Sequence, residues 1–168
     1  GETATPGRFS VRTLDVLRNL SHREAESFRS ACALSFGKGS KFIVQIPDRK
    51  PGALFAPDPD ALSKFGLRYH EQIALTDAGV IAVASDGVII THDMTNPLRI
   101  AHQGKTIRFS PMDGVAMSRT VRSGLTVLVF TTAGSELSSL VENDLQEGYI
   151  SLLIERFKPY GIEVTIEN

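Results

Sequence analysis

Two stretches decide how this chain is read: Leu75-Thr-Asp-Ala-Gly-Val-Ile81 and Val127-Leu-Val-Phe-Thr-Thr-Ala-Gly-Ser-Glu-Leu137. In the first, Gly79 stops a helix and the β-branched pair Val80 and Ile81 begins a strand. In the second, an apolar β-branched run reads as a strand that leads into a helix capped by Thr132. The sequence between them alternates like β-hairpins. Ala82-Val-Ala-Ser85 and Val88-Ile-Ile-Thr91 flank Asp86-Gly87, a pair suited to the positive φ angles of a type I′ turn. Leu98-Arg-Ile-Ala-His102 and Lys105-Thr-Ile-Arg-Phe109 flank Gln103-Gly104. Their alternation (Leu98 and Ile100, Ile107 and Phe109) implies one buried face. A strand over 115–121, a Ser123-Gly124 turn, a strand over 125–131 and a helix over 132–141 complete this region.

Outward from the centre, Ser10 is placed to cap a helix over 11–20, with Leu14, Leu17 and Leu20 at helical spacing. Ser21-His-Arg-Glu24 is a capping box opening a helix to about residue 35, with Ala25, Phe28, Ala31 or Cys32, and Ser35 on one stripe. Phe42-Ile-Val-Gln-Ile46 reads as a strand. A loop with Pro47, Pro51, Pro57 and Pro59 follows, then a short helix capped by Asp60 and ended by Gly66. The next helix covers 68–78. A last helix over 146–157 carries Ile150, Leu153, Ile154 and Phe157. Ile162-Glu-Val-Thr-Ile166 alternates as an edge strand. The fold class is α+β, helices with an antiparallel β-meander. Its winged-helix-like core spans about residues 60–137, within a single domain over 10–168. Residues 1–9, beginning Gly-Glu-Thr-Ala-Thr-Pro-Gly, read as a linker or truncated N-terminus of a longer protein.

Composition sets bounds on function. The 168 residues carry 18 Lys+Arg against 19 Asp+Glu, a net charge of −1, which argues against a dedicated nucleic-acid binder but permits a local basic face. The single cysteine, Cys32, excludes an intrachain disulfide and reads as a small buried hydrophobe. No apolar run approaches the roughly 20 residues that span a bilayer, so no membrane segment is expected and the cytoplasm is the expected location.

At four places the chain resembles a family of uncharacterised bacterial proteins, the DUF2806-like family. These are Gly1-Glu2 with Pro6-Gly-Arg-Phe-Ser10, Thr13-Leu14 and Leu17; Glu26-Ser-Phe28; Ile73-Ala-Leu-Thr-Asp-Ala-Gly-Val-Ile81; and Phe130-Thr-Thr-Ala-Gly-Ser-Glu-Leu137. The resemblance implies no known activity and supplies no catalytic residues. It implies that this region follows a helical N-terminal part.

Candidate sites follow from residue type. A winged helix places the second helix of its pair in the major groove, here residues 68–78, exposing Arg68, His70, Glu71, Gln72 and Asp77. Glu71 and Asp77 oppose phosphate, and Ile73, Ala74 and Leu75 read as inward-packing. A contact surface for nucleic acid or another anionic partner would be assembled from Arg8, Arg12, Arg23, Lys64, Arg68 and Lys105. His22, His70, His92 and His102 have no ligand spacing, so no metal is expected. Gly37-Lys-Gly-Ser-Lys41 precedes a strand rather than opening a helix, so it reads as a turn and not as a phosphate loop. No nucleophile elbow surrounds Ser135. No catalytic residue and no cofactor are expected. The function read from the sequence is a non-catalytic interaction or regulatory module of a larger bacterial protein. A protein partner or self-association through the last helix and edge strand is expected. The alternative is a winged-helix nucleic-acid-binding domain.

Overall fold

The two opening stretches meet in space. In a computed structural model that describes residues 9–82 and 88–167, Thr131 Oγ1 donates to the Gly79 carbonyl at 2.6 Å and accepts from Gly134 N at 2.9 Å. Thr131 N donates to Val80 O at 3.0 Å, and Ile81 bridges Phe130. The helix cap is therefore Thr131, one residue before the expected Thr132, because its hydroxyl serves both the new helix and the end of the preceding one.

The helices are α1 (Val11–Asn19), α2 (His22–Ala33), α3 (Tyr69–Asp77), α4 (Thr132–Ser138) and α5 (Glu147–Phe157). The strands are β1 (Phe42–Val44), β2 (Val88–Thr91), β3 (Leu98–His102), β4 (Lys105–Pro111), β5 (Gly124–Val129) and β6 (Ile162–Glu167). Local signals account for many boundaries. Ser10 accepts from Thr13 N, and both bonds of the Ser21–Glu24 capping box are made. Gly66 ends the 3-10 turn Ala61–Phe65 at φ 85°. Asp60 makes no side-chain cap there. Its own N–H is held by Asp58 Oδ1, because Asp58 is fixed from the other side by Arg156.

The structure is α+β. Its antiparallel strands divide into two three-stranded sheets, ordered β1-β5-β2 and β3-β4-β6. The β3–β4 hairpin has the expected register, Leu98 opposite Phe109 and Ile100 opposite Ile107. Residues 83–87, with the expected Asp86-Gly87 turn, lie outside the described residues. Ala82 N bonds Val129 O and Val88 faces Val127, so both flanks of that segment meet β5. The expected strand over 115–121 is instead loop and a 3-10 turn, Arg119–Val121, where Ser118 caps Thr120 N. β6 is an edge strand, as its pattern suggested.

Buried side chains from α2, β1, α3, β4, β5, α5 and β6 touch as one cluster. The apolar face of α5 lies inside it, with Ile150, Leu153 and Phe157 buried, so that face cannot serve self-association. Ile73 corrects another expectation. It is exposed, while Glu71 of the same helix is buried.

Candidate functional site

Arg68 is the N-cap residue of α3, three positions before Glu71. That spacing brings the guanidinium onto the carboxylate: Nε reaches Oε1 at 3.1 Å and Nη2 reaches Oε2 at 2.8 Å. Glu71 Oε1 also accepts Arg68 N at 2.8 Å, and His70 Nε2 lies 3.0 Å from Oε2. The Arg68 side-chain bond leads in holding the Glu71 carboxyl down to about 2, against the opposing effect of burial. The Arg68 charge is thus compensated within its own helix. Arg23 lies in the same α2–α3 groove, of about 370 Å³, together with Glu24, His70 and Glu71.

The other predicted cations lie elsewhere. Arg12 lines a groove with Asp15, Glu24 and Asp77, where carboxylates outnumber it. Lys64 is exposed on the 3-10 turn before α3. Arg8 lies outside the described residues. Lys105 lines a separate groove between the 37–41 loop and the β3–β4 turn, which Lys38 and Lys41 also line. The sequence reading missed those two lysines as partners of Lys105, having treated Gly37-Lys-Gly-Ser-Lys41 only as a turn. Their spacing was visible, but the hairpin that faces them was not.

The buried ionisable groups have structural surroundings. Cys32 is buried in α2, which raises its thiol to about 12. A thiol that stays protonated is a poor nucleophile. His102 Nδ1 lies 3.0 Å from the Ser35 carbonyl, and its ring is 4.3 Å from the Phe36 ring centre. His102 Nε2 is buried without a hydrogen-bond partner among the described residues. His22 meets Glu26, and His92 meets the Asn96 carbonyl. Arg156, buried on α5, reaches Asp58 Oδ2 at 2.7 Å and Pro47 O at 3.2 Å. Among the described residues, no three His, Cys, Asp or Glu gather in a way that could hold a metal ion. No helix among them is long and apolar enough to cross a membrane.

α1 is arranged unusually. Its buried residue is Thr13, whose Oγ1 donates to Glu136 Oε1 at 2.7 Å. Glu136 also accepts Ser10 N at 3.1 Å. Val16 and Leu20 pack against the core on the Thr13 side, while Val11 is 77% exposed and Leu14 and Leu17 are each 45% exposed. The sequence shows these residues at helical spacing, but not which face the rest of the molecule covers.

Open grooves and exposed apolar residues of α1 lie on an α+β frame. The chain belongs to the family described as "Protein of unknown function (DUF2806)", whose model matches residues 1–154 of the 168. Neither the curated proteins nor the solved structures contain a match to it.

Proposed function

We propose that this chain is a non-catalytic interaction or regulatory module of a larger bacterial protein, acting in the cytoplasm. In this reading residues 10–168 form one domain, and α1 is its docking face. The observation that supports it is the apolar surface α1 leaves exposed at Val11, Leu14 and Leu17, while Thr13, Val16 and Leu20 face the core. Exposing such a surface is unfavourable unless a partner covers it.

The occupant is a second copy of the chain. An antiparallel pairing of α1 with its symmetry mate, centred on Leu14, sets Val11 against Leu17 of the other copy. It also brings each Arg18 to the end of the partner helix where Glu136 sits beside Ser10. Opposite charges then flank an apolar centre, and the helix dipoles run antiparallel. A nine-residue helix buries less area than a standard interface, so the association is weak and concentration-dependent. Sedimentation velocity over a range of concentrations tests this. Reversible dimerisation abolished by Leu14→Glu is expected, with the melting curve unchanged. A monomer at every concentration overturns homotypic docking through α1.

A second reading has one specific support. Strand order β1-β5-β2, with α2, the 3-10 turn Ala61–Phe65 and α3 before β2, is the order of a winged helix. In that reading α3 approaches nucleic acid with Tyr69, His70 and Ile73 exposed. Duplex DNA binding that falls with salt and with Ile73→Glu would support it. Absence of binding at low salt would remove it.

A further inference from the structure

The groove between the 37–41 loop and the β3–β4 turn has a character that the Arg12 and Arg23 grooves lack. It is open, about 640 Å³ in volume, and three of its lining side chains are Lys38, Lys41 and Lys105. Among the described residues, no carboxylate and no aromatic ring lines it. By contrast, the Arg12 groove contains three acids, and the Arg23 groove contains Glu24 and Glu71. The segment 141–145 forms a further wall with alternating exposure. Val141 and Asn143 line the groove, while Glu142 and Asp144 are the exposed alternates.

The walls are held by named bonds. Gly37 N donates to Ala101 O at 2.9 Å, tying the loop to β3. Lys41 N donates to Ser135 Oγ at 3.0 Å, tying it to α4. Gln103 has φ 47°, a left-handed conformation otherwise confined to glycines among the described residues. Its side-chain amide donates to Cys32 O at 2.7 Å and Ser35 O at 3.2 Å, at the C-terminal end of α2. Those bonds offset the strain and fix the turn that carries Lys105. They also cover carbonyls whose partial negative charge would repel an anion. Lys41 Nζ donates to Gly37 O at 2.7 Å, which orients the ammonium while leaving it further protons to donate.

We propose that this groove binds a linear chain of phosphates through Lys38, Lys41 and Lys105. Cations on more than one wall suit a ligand with several negative charges along its length. Lysine is a compact point charge that accepts phosphate from many directions. With no aromatic platform, the groove reads phosphate charge and not base identity. This inference goes beyond the docking role of α1 and does not depend on it.

Calorimetric titration with inorganic tripolyphosphate, at low and at moderate salt, tests it. The expected result is saturable binding that weakens as salt rises, because ion release drives it. Combined Lys38→Gln, Lys41→Gln and Lys105→Gln should weaken binding by about tenfold or more. Arginine at all three positions should restore most of it, and Arg23→Gln should leave it unchanged. If the triple variant melts early, Lys38→Gln alone still reports, since that exposed side chain should weaken binding with the melting curve intact. No saturable binding at low salt, or binding indifferent to all three lysines, overturns the proposal. An oligothymidylate that displaces tripolyphosphate would identify a nucleic-acid backbone as an occupant. Failure to displace it would identify free polyphosphate. Both results support a phosphate-chain site and distinguish its source.

Discussion

His102 shows how one residue can carry a pH dependence for the whole molecule. Burial, partly opposed by the Ser35 hydrogen bond and reinforced by the Lys41 charge, lowers its imidazole from 6.5 to about 4. The unfolded chain therefore binds a proton that the folded chain refuses between those values. Stability from this group is complete above about pH 6.5 and is lost as pH falls towards 4. Denaturant melts across that window should show the decline, and His102→Phe should flatten it relative to the parent. An equally steep decline in the variant would assign the effect to other groups. At the same scale, Arg68 and Glu71 show what residue type alone misreads. Arg68 looked like a base-reading side chain and Glu71 like a group that opposes phosphate, yet their three-residue spacing at a helix start neutralises them against each other.

At the scale of elements, the α3–β5–α4 junction is tightly packed. Gly134 lies in the first turn of α4, where an added Cβ would collide with the Val80 carbonyl. Both clashing groups are backbone, so neither can rotate away. Gly134→Ala should destabilise by about 1–3 kcal/mol, as overpacking does, with a lower urea midpoint and an unchanged slope. An unchanged midpoint would show that α4 shifts freely, against the bonds between Thr131, Gly79 and Val80. Element ends of this kind were legible in sequence, because caps and stop glycines act over three or four residues. Ser10, the Ser21–Glu24 box, Gly66 and the Gln103-Gly104 turn all stand where their chemistry places them. The strand expected over 115–121 failed because β-branched content is a weak signal without a partner strand.

For the whole molecule, Arg156 is the link between the C-terminal helix and the proline-rich loop. Its bonds to Asp58 and Pro47 O join α5 to residues 98 and 109 positions earlier. Burial disfavours the Asp58 charge, but the Arg156 and Asp60 hydrogen bonds outweigh it and hold the carboxyl below its ordinary value. Arg156→Ala would leave that carboxylate without its cation and the Pro47 carbonyl without its donor. A loss of roughly 3 kcal/mol is expected, the lower end for a buried pair because Asp58 retains some contact with water. Equilibrium unfolding of the variant, compared with Arg156→Lys, checks this. The lysine variant should recover part of the loss through its charge, but not the geometry of two acceptors. No loss in the alanine variant would show that the loop is held by its apolar contacts alone.

The sequence by itself determined the local structure: where helices begin and end, the β3–β4 register, the burial of Cys32 and the α+β class. Each follows from hydrogen bonds or periodicity within a few residues. Only the tertiary structure decided how the strands divide into two sheets, because pairing joins segments such as β1 and β5 that lie far apart in the chain. It also decided that α1 turns Thr13 inward and Leu14 and Leu17 outward, since burial depends on what lies across from a helix. The same holds for charge. Composition records one residue too many of acid, while folding gathers Lys38, Lys41 and Lys105 at one groove and sets Arg12 and Arg23 among carboxylates. Electrostatic character follows distance in space and not distance along the chain.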